Sequence, residues 1–153
     1  MKYILPLAPV PAPRPRVTKW GTYYPKTYKT FLADCVTLLA ALHKGHSIIE
    51  PASVEIDFYI KRPQRLMRKT DPPGRVIHDR KPDIDNLTKS VLDALTKSGI
   101  VLDDSRIAQL TARKFYSEKG IRPRIEIIIQ TLSGHNDPKT KDPPESPSSG
   151  PNP

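Results

Sequence analysis

Two apolar rhythms divide the chain. Tyr28, Phe31, Leu32, Cys35, Val36, Leu38, Leu39 and Leu42 recur at spacings of three and four. That interval returns helical positions to one face, so it predicts an amphipathic core helix over residues 26–43, entered after Pro25. Ile84, Leu87, Val91, Ala94 and Leu95 repeat the pattern and predict a second helix over 84–98. Gly99 stands where a helix-ending glycine belongs, and Lys97 lies in the last turn, where a cation meets the negative end of the helix dipole. Between the helices the period drops to two. Val54, Ile56, Phe58 and Ile60 alternate with Glu55, Asp57 and Tyr59, which predicts a half-buried strand over 54–61 whose acids solvate its outer face. Residues 2–7 form a short β-like run. Residues 106–116 read as a strand with imperfect alternation, and 124–132 (RIEIIIQTL) as a strongly β-branched one. Glu118, Lys119 and Gly120 mark a turn between those two, so they are expected to pair as a hairpin.

Three segments carry no rhythm. Pro6, Pro9, Pro11, Pro13 and Pro15 force an extended arm, which ends in Arg14, Arg16 and Lys19 beside Trp20, Tyr23 and Tyr24. The arginines suit phosphate contacts, while the aromatics are expected to pack half buried on the domain. Residues 62–81 hold Arg62, Arg65, Arg68, Lys69, Arg75, Arg80 and Lys81 against Asp71 and Asp79, with Pro63, Pro72, Pro73 and Gly74 as turn signals. A loop this long is expected to be functional. Its charge suits a mobile segment that grips a nucleic-acid backbone and orders on binding. From Ser133 onward no aliphatic or aromatic residue occurs, and 133–153 is expected to be a disordered tail beside a single domain over 1–132.

Charge strengthens the nucleic-acid reading. The chain of 153 residues carries a net charge of +9, which favours a polyanionic partner. No apolar run approaches the roughly 18 residues of a membrane span, and the start MKYILPLAPVPAPRP is too broken by prolines for a secretory segment. Cys35 is the one cysteine; it is expected to be a small buried side chain in a reducing compartment, so the protein is expected in the cytoplasm. His43 and His46 have no third ligand near them in sequence and read as a solvated helix end.

Against this basic background, acids bracket the second helix: Asp83 and Asp85 open it, and Asp103 and Asp104 follow the apolar run 100–102. At about 100° per residue, Asp85, Lys89 and Asp93 share a face turned from the core. Asp83 is placed as a helix N-cap, and Gly99 lets the chain return Asp103 and Asp104 to the same end. Capping accounts for Asp83 and in part for Asp85. It does not account for the second acidic pair or for the adjoining basic loop. Oxygen-rich sets of this kind suit Mg²⁺ or Mn²⁺. On the residues alone, two other readings stand: a non-catalytic DNA-binding or architectural protein, and a metal nuclease for other branched DNA.

The stretch DIDNLTKSVLDALTKSGIVLDD over 83–104, with the basic residues before it, resembles the RusA family of Holliday junction resolvases. APRPR before YYPKTY and the closing RIEIII are similar to that family's two ends, so the likeness runs over about residues 1–132. The resemblance implies an α+β fold, a small mixed β-sheet packed with two main helices, assembled as a homodimer. It also implies symmetric metal-dependent nicking of four-way junctions in recombination and repair, leaving 5′-phosphate and 3′-hydroxyl ends. By motif position it implies that Asp83, Asp85 and Asp104 bind Mg²⁺ (or Mn²⁺), with Asp103 ranked lower, and that Lys89 is catalytic. Branched DNA is the implied partner, met by Arg14, Arg16, Lys19, Arg62, Arg65, Arg68, Lys69, Arg75, Arg80 and Lys81.

Overall fold

The computed structural model describes residues 1–14, 16–19 and 21–132. The proposed tail and Trp20 therefore lie outside the described residues. The order of elements is β1 (Lys2–Leu5), β2 (Arg16–Thr18), β3 (Gly21–Tyr23), α1 (Lys26–Leu42), β4 (Ala52–Ile60), β5 (Val76–Ile77), α2 (Ile84–Lys97), β6 (Ile107–Tyr116) and β7 (Arg124–Thr131). Among the described residues β2 and β3 form a separate antiparallel ribbon, and the other strands make one five-stranded mixed sheet in the order β1-β7-β4-β6-β5. This is the α+β fold expected. No helix among the described residues is long and apolar enough to cross a membrane.

Strand β4 is central because both of its edges are used. It pairs antiparallel with β7 and parallel with β6. Val54, Ile56 and Phe58 on its inner face are fully buried, as are Ile125, Ile127 and Ile129 of β7. Helix α1 closes over them with Tyr28, Phe31, Cys35 and Leu39, and α2 with Leu87, Val91, Ala94 and Leu95. Burial pushes the Cys35 thiol up to about 12, so it stays a neutral core side chain.

The expected hairpin between the final two strands does not form. β6 and β7 both join β4, which lies between them. Residues 117–123 step across β4, bridging two strand spacings, about 10 Å. A two-residue hairpin loop would have forced direct pairing, whereas this connection is long enough to pass over a neighbour. The hairpin reading followed sequence order and missed that a long strand buried along its inner face needs partners on both sides.

The outer face of the sheet is not simply solvated. Arg113 donates to Asp57 at 2.6 Å and to Glu55 at 3.1 Å. Arg124 bridges Glu118 and Glu126 while lying 3.6 Å from the Tyr59 ring centroid. Arg124 over Tyr59 and Arg75 over Phe115 thus cover aromatic rings on the face opposite α1 and α2.

β5 borders β6, and the ladder continues past it through the bond from the His78 N–H to the Lys114 carbonyl, 3.1 Å. The His78 ring is buried against Tyr116, with centroids 4.5 Å apart, and its Nδ1 has no hydrogen-bond partner among the described residues. Burial and then the nearby Lys114 charge lower its pKa from 6.5. Below that value the unfolded chain gains a proton that the folded chain refuses, so stability is lost as pH falls from 6.5 through the folded value. The urea midpoint is expected to fall between pH 7 and pH 5, and to fall less in His78→Phe. An equal fall in both proteins would remove His78 as the cause.

Candidate active site

The acids proposed from the sequence as metal ligands, Asp83, Asp85, Asp103 and Asp104, lie within one connection, residues 61–106, which links the parallel strands β4 and β6. Helix α2 stands inside it. Its core face holds Leu87, Val91, Ala94 and Leu95, as the period requires; Ile84, assigned to that face, is instead exposed at 38%. The helix ends as expected, with Gly99 at φ +75° and its N–H bonded to the Thr96 carbonyl. The following run is pinned by Ile48, whose N–H donates to the Ile100 carbonyl at 2.7 Å and whose carbonyl accepts from Leu102 at 3.1 Å. These bonds bring Asp103 and Asp104 back toward the helix.

The outer face of α2 and the returning chain line a cavity of about 460 Å³. Its wall holds Asp85, Lys89, Asp93 and Asp104, with Ile84, Thr88, Leu92 and Leu110 between them. Asp85, Lys89 and Asp104 are exposed and meet there. Asp93, placed on the same face by the helical period, is held from behind: the Tyr28 hydroxyl of α1 donates to its Oδ2 at 2.9 Å. Burial and this bond raise the Tyr28 pKa, which keeps the hydroxyl a donor.

Asp83 is where the N-cap was expected, but its side chain makes no capping hydrogen bond; only its backbone carbonyl accepts, from Leu87 at 3.2 Å. Its carboxylate lines a neighbouring groove of about 450 Å³ with Pro11, Arg14, Lys81 and Asn86. The arm is fixed at this point by the Ala12 N–H, which donates to the Asn86 carbonyl at 2.8 Å. Asp103 does the capping instead. Its Oδ1 accepts from the Ser105 N–H at 2.9 Å at the start of a 3₁₀ turn over Asp104–Arg106, and the bonds from Ser105 hold its carboxyl below the usual range. Of the two adjacent acids, Asp103 is committed to the backbone and Asp104 faces the cavity.

The residues fit a hard divalent cation in a restricted sense. Asp85 and Asp104 offer carboxylate oxygens to one space, and Mg²⁺ uses one or two carboxylates, keeping waters and substrate oxygens for the rest. Among the described residues no three Asp, Glu, His or Cys side chains converge on one metal position. Asp83 therefore shares the end of the helix with the cavity but is not in its wall.

The basic loop differs from its reading. Arg62 is 6% exposed, and its guanidinium donates to the carbonyls of Ser117 (2.9 Å), Pro72 (2.7 Å) and Gly74. Lys119 adds bonds to the carbonyls of Arg68 and Asp71. The segment is thus stapled from within rather than free, and Arg62 is corrected from a DNA contact to an internal brace. Arg75 is partly engaged: it bonds Tyr59, lies 3.7 Å from Asp57 and covers Phe115. Arg65, Arg68, Lys69, Arg80 and Lys81 are exposed, as are Arg14 and Lys19 on the arm. Arg16 has its backbone in β2, and its side chain is outside the description. Tyr23 and Tyr24 are more exposed than expected, with Lys29 over the Tyr23 ring and Tyr24 against Tyr28.

Sequence reasoning passed over Lys114 and Lys119. Lys119 sits in a turn, where a lysine is unremarked. Lys114 had a signal: it occupies the register row of the buried Phe58, flanked on its own face by Ala112 and Tyr116. A lysine in a core-facing row has to find acceptors.

Fold and site together define a small basic α+β protein with its acids gathered about one end of a crossover helix. Residues 6–130 match the family model described as endodeoxyribonuclease RusA, and the chain belongs to that family. It is similar to the uncharacterised protein YqaN of Bacillus subtilis (strain 168), 35% identical over 109 residues, spanning 67% of this chain and 74% of that protein. It is also similar to the crossover junction endodeoxyribonuclease RusA of Escherichia coli (strain K12), 33% identical over 77 residues, and to its counterpart in Enterobacteria phage 82, 32% identical over the same length. Each of these two matches covers 50% of this chain and 59% of the relative, so the chain spans little more than half the length of the named endonucleases.

The Arg62 brace gives a test of the loop. Arg62→Met leaves three carbonyl acceptors without their donor, and is expected to cost about 1–3 kcal/mol in urea unfolding. Trypsin is expected to cut after Arg65, Arg68 and Lys69 faster than in wild type. Unchanged digestion of this loop would show that the brace does not hold it.

Proposed function

We propose that this chain is a structure-specific endodeoxyribonuclease that nicks Holliday junctions with the help of Mg²⁺, Mn²⁺ also serving. The observation that carries this reading is the cavity where Asp85, Asp104 and Lys89 meet, in a member of the endodeoxyribonuclease RusA family. Asp85 and Asp104 would hold the cation from one side, and Asp83, its carboxylate spared from capping, would complete the shell once the phosphate draws the helix end and the arm together. Mg²⁺, when bound, neutralises charge on the scissile phosphate and makes a coordinated water more acidic.

The remaining work belongs to the chain. Lys89, one helical turn from Asp85, meets a non-bridging phosphate oxygen and stabilises the charge that grows there during displacement. Arg14, Lys19, Arg65, Arg68, Lys69, Arg80 and Lys81 are exposed, and they would grip the DNA backbone, with Arg14 and Lys81 beside Asp83. The products carry 5′-phosphate and 3′-hydroxyl ends. Two nicks in opposed strands need two sites related by a two-fold axis, so the working form is a homodimer with one cavity per subunit, acting in the cytoplasm on recombination and repair intermediates.

The test uses synthetic junction, fork, flap and duplex substrates with Mg²⁺, beside Asp85→Asn. The substitution removes ligand charge with little change of shape. It is expected to lower junction cleavage by at least about 100-fold, the loss of several kcal/mol of metal-centred stabilisation. Junction binding is expected to persist or tighten, because a negative charge near phosphates disappears. Light scattering is expected to give twice the 17.2 kDa chain mass. A wild type that binds junctions tightly but never cuts them would defeat the proposal; equal cutting of all four substrates would remove the junction specificity.

A further inference from the structure

Strand β6 reaches the acidic site twice. At its start it follows Asp104, and near its end it presents Lys114 to the segment that enters α2. The Lys114 ammonium donates to the Arg80 carbonyl at 2.8 Å and to the Pro82 carbonyl at 2.7 Å. Pro82 directly precedes Asp83, and Asp83 is the residue whose carbonyl begins the helix by accepting from Leu87. Lys114 is paired in register with Phe58 on the central strand, and its own carbonyl accepts from His78. The lysine is therefore half-buried beside a core row of the sheet, and its tip bonds the two carbonyls that lead into the acids.

We propose that Lys114 is a positioning residue for the reaction, a clamp that fixes the Arg80–Asp83 backbone so that Asp83 and Asp85 face the substrate phosphate together. This rests on the nuclease reading above. The chemistry favours an ammonium in this place. It supplies several donors at one point, and its bonds to carbonyls are charge-assisted and so stronger than neutral ones. No other described side chain is bonded to the Arg80 or Pro82 carbonyl. Arg62 and Lys119 hold residues 68–74 of the same connection in the same way, but those lie upstream of the acids. Loss of the three cations therefore has different results. Without Arg62 or Lys119, the part of the loop that meets DNA loosens and affinity suffers. Without Lys114, the acids lose their placement and turnover suffers, since a shift of about 1 Å in a reacting constellation costs on the order of 100-fold.

The experiment compares wild type with Lys114→Met, Lys114→Arg and Lys119→Met. Amide hydrogen exchange of the metal-free proteins is followed across residues 78–86. Junction affinity is measured without metal, and single-turnover cleavage with Mg²⁺. In Lys114→Met, exchange over 78–86 is expected to rise while the core of α1 and β4 keeps its protection. The cleavage rate constant is expected to fall by at least about tenfold with less than a twofold change in affinity. Lys114→Arg is expected to recover part of the rate, and Lys119→Met to lose affinity instead. Unchanged exchange over 78–86, or a loss of affinity as large as the loss of rate, would overturn the clamp. Should Lys114→Met fail to fold, Lys114→Arg decides by the same two ratios. A wild type that does not cut would overturn the nuclease reading, and the exchange measurement would still decide whether Lys114 holds the backbone.

Discussion

Strands β4 and β6 run side by side in the same direction, and a parallel pair cannot be closed by a turn. The chain has to leave the sheet, travel its full length and re-enter at the starting end, which takes a dozen or more residues. In this protein the obligatory detour carries the acids of the candidate site. The basic segment, helix α2, the glycine that stops it and the acids on both sides of it all lie between the end of one strand and the start of the next. The sheet decides where the detour begins and ends, so the placement of Asp104 at the head of β6 depends on the pairing register of β4 and β6.

A long irregular connection has a second problem, which is what its carbonyls bond to. The solution is the same at three places: a cation reaches up from the sheet side and donates to two or three carbonyls. Arg62 serves Pro72 and Gly74 together with Ser117, Lys119 serves Arg68 and Asp71, and Lys114 serves Arg80 and Pro82. Positive charge in this protein is therefore of two kinds. Some of it faces water around the site, and some is spent beneath the loop, holding the exposed part in place. A surface of the kind proposed to bind DNA gains from such stiffness, because the ordering cost is met before the partner arrives.

The parts legible in the sequence were those governed by local rules. The faces of α1 and α2, the reversal at Gly99 and the alternation of β4 follow from side-chain period and backbone freedom, and they stand as read apart from Ile84 at the start of α2 and Leu42 at the end of α1, both exposed. What escaped depended on distant partners. Arg62 looked like any other loop arginine until Ser117 and Gly74 came to it through space. Capping escaped for a similar reason: Asp83 heads α2 without a side-chain cap bond, while Asp103 caps the 3₁₀ turn that follows it, and composition does not encode how the chain enters either turn. The hairpin between β6 and β7 failed because adjacency in sequence says nothing about a third strand lying between. The acids at the two ends of α2 were legible as a group, but their division between one cavity and the adjoining groove was not.

The outermost pairing of the sheet bears on how the molecule is made. β1 joins β7, with Lys2 opposite Ile128, so a strand synthesised at the beginning waits for one synthesised more than a hundred residues later. Contacts of such sequence separation are closed slowly, because loop-closure entropy is lost before any pairing rewards it. During translation Tyr3 and Leu5 have no permanent place to go. The intervening helices and β4 can collapse around one another first, but the edge of β7 that β1 will occupy does not yet exist. The proline-rich arm that follows β1 is stiff and unable to donate at each proline, which makes it a poor partner for any stray strand in this interval.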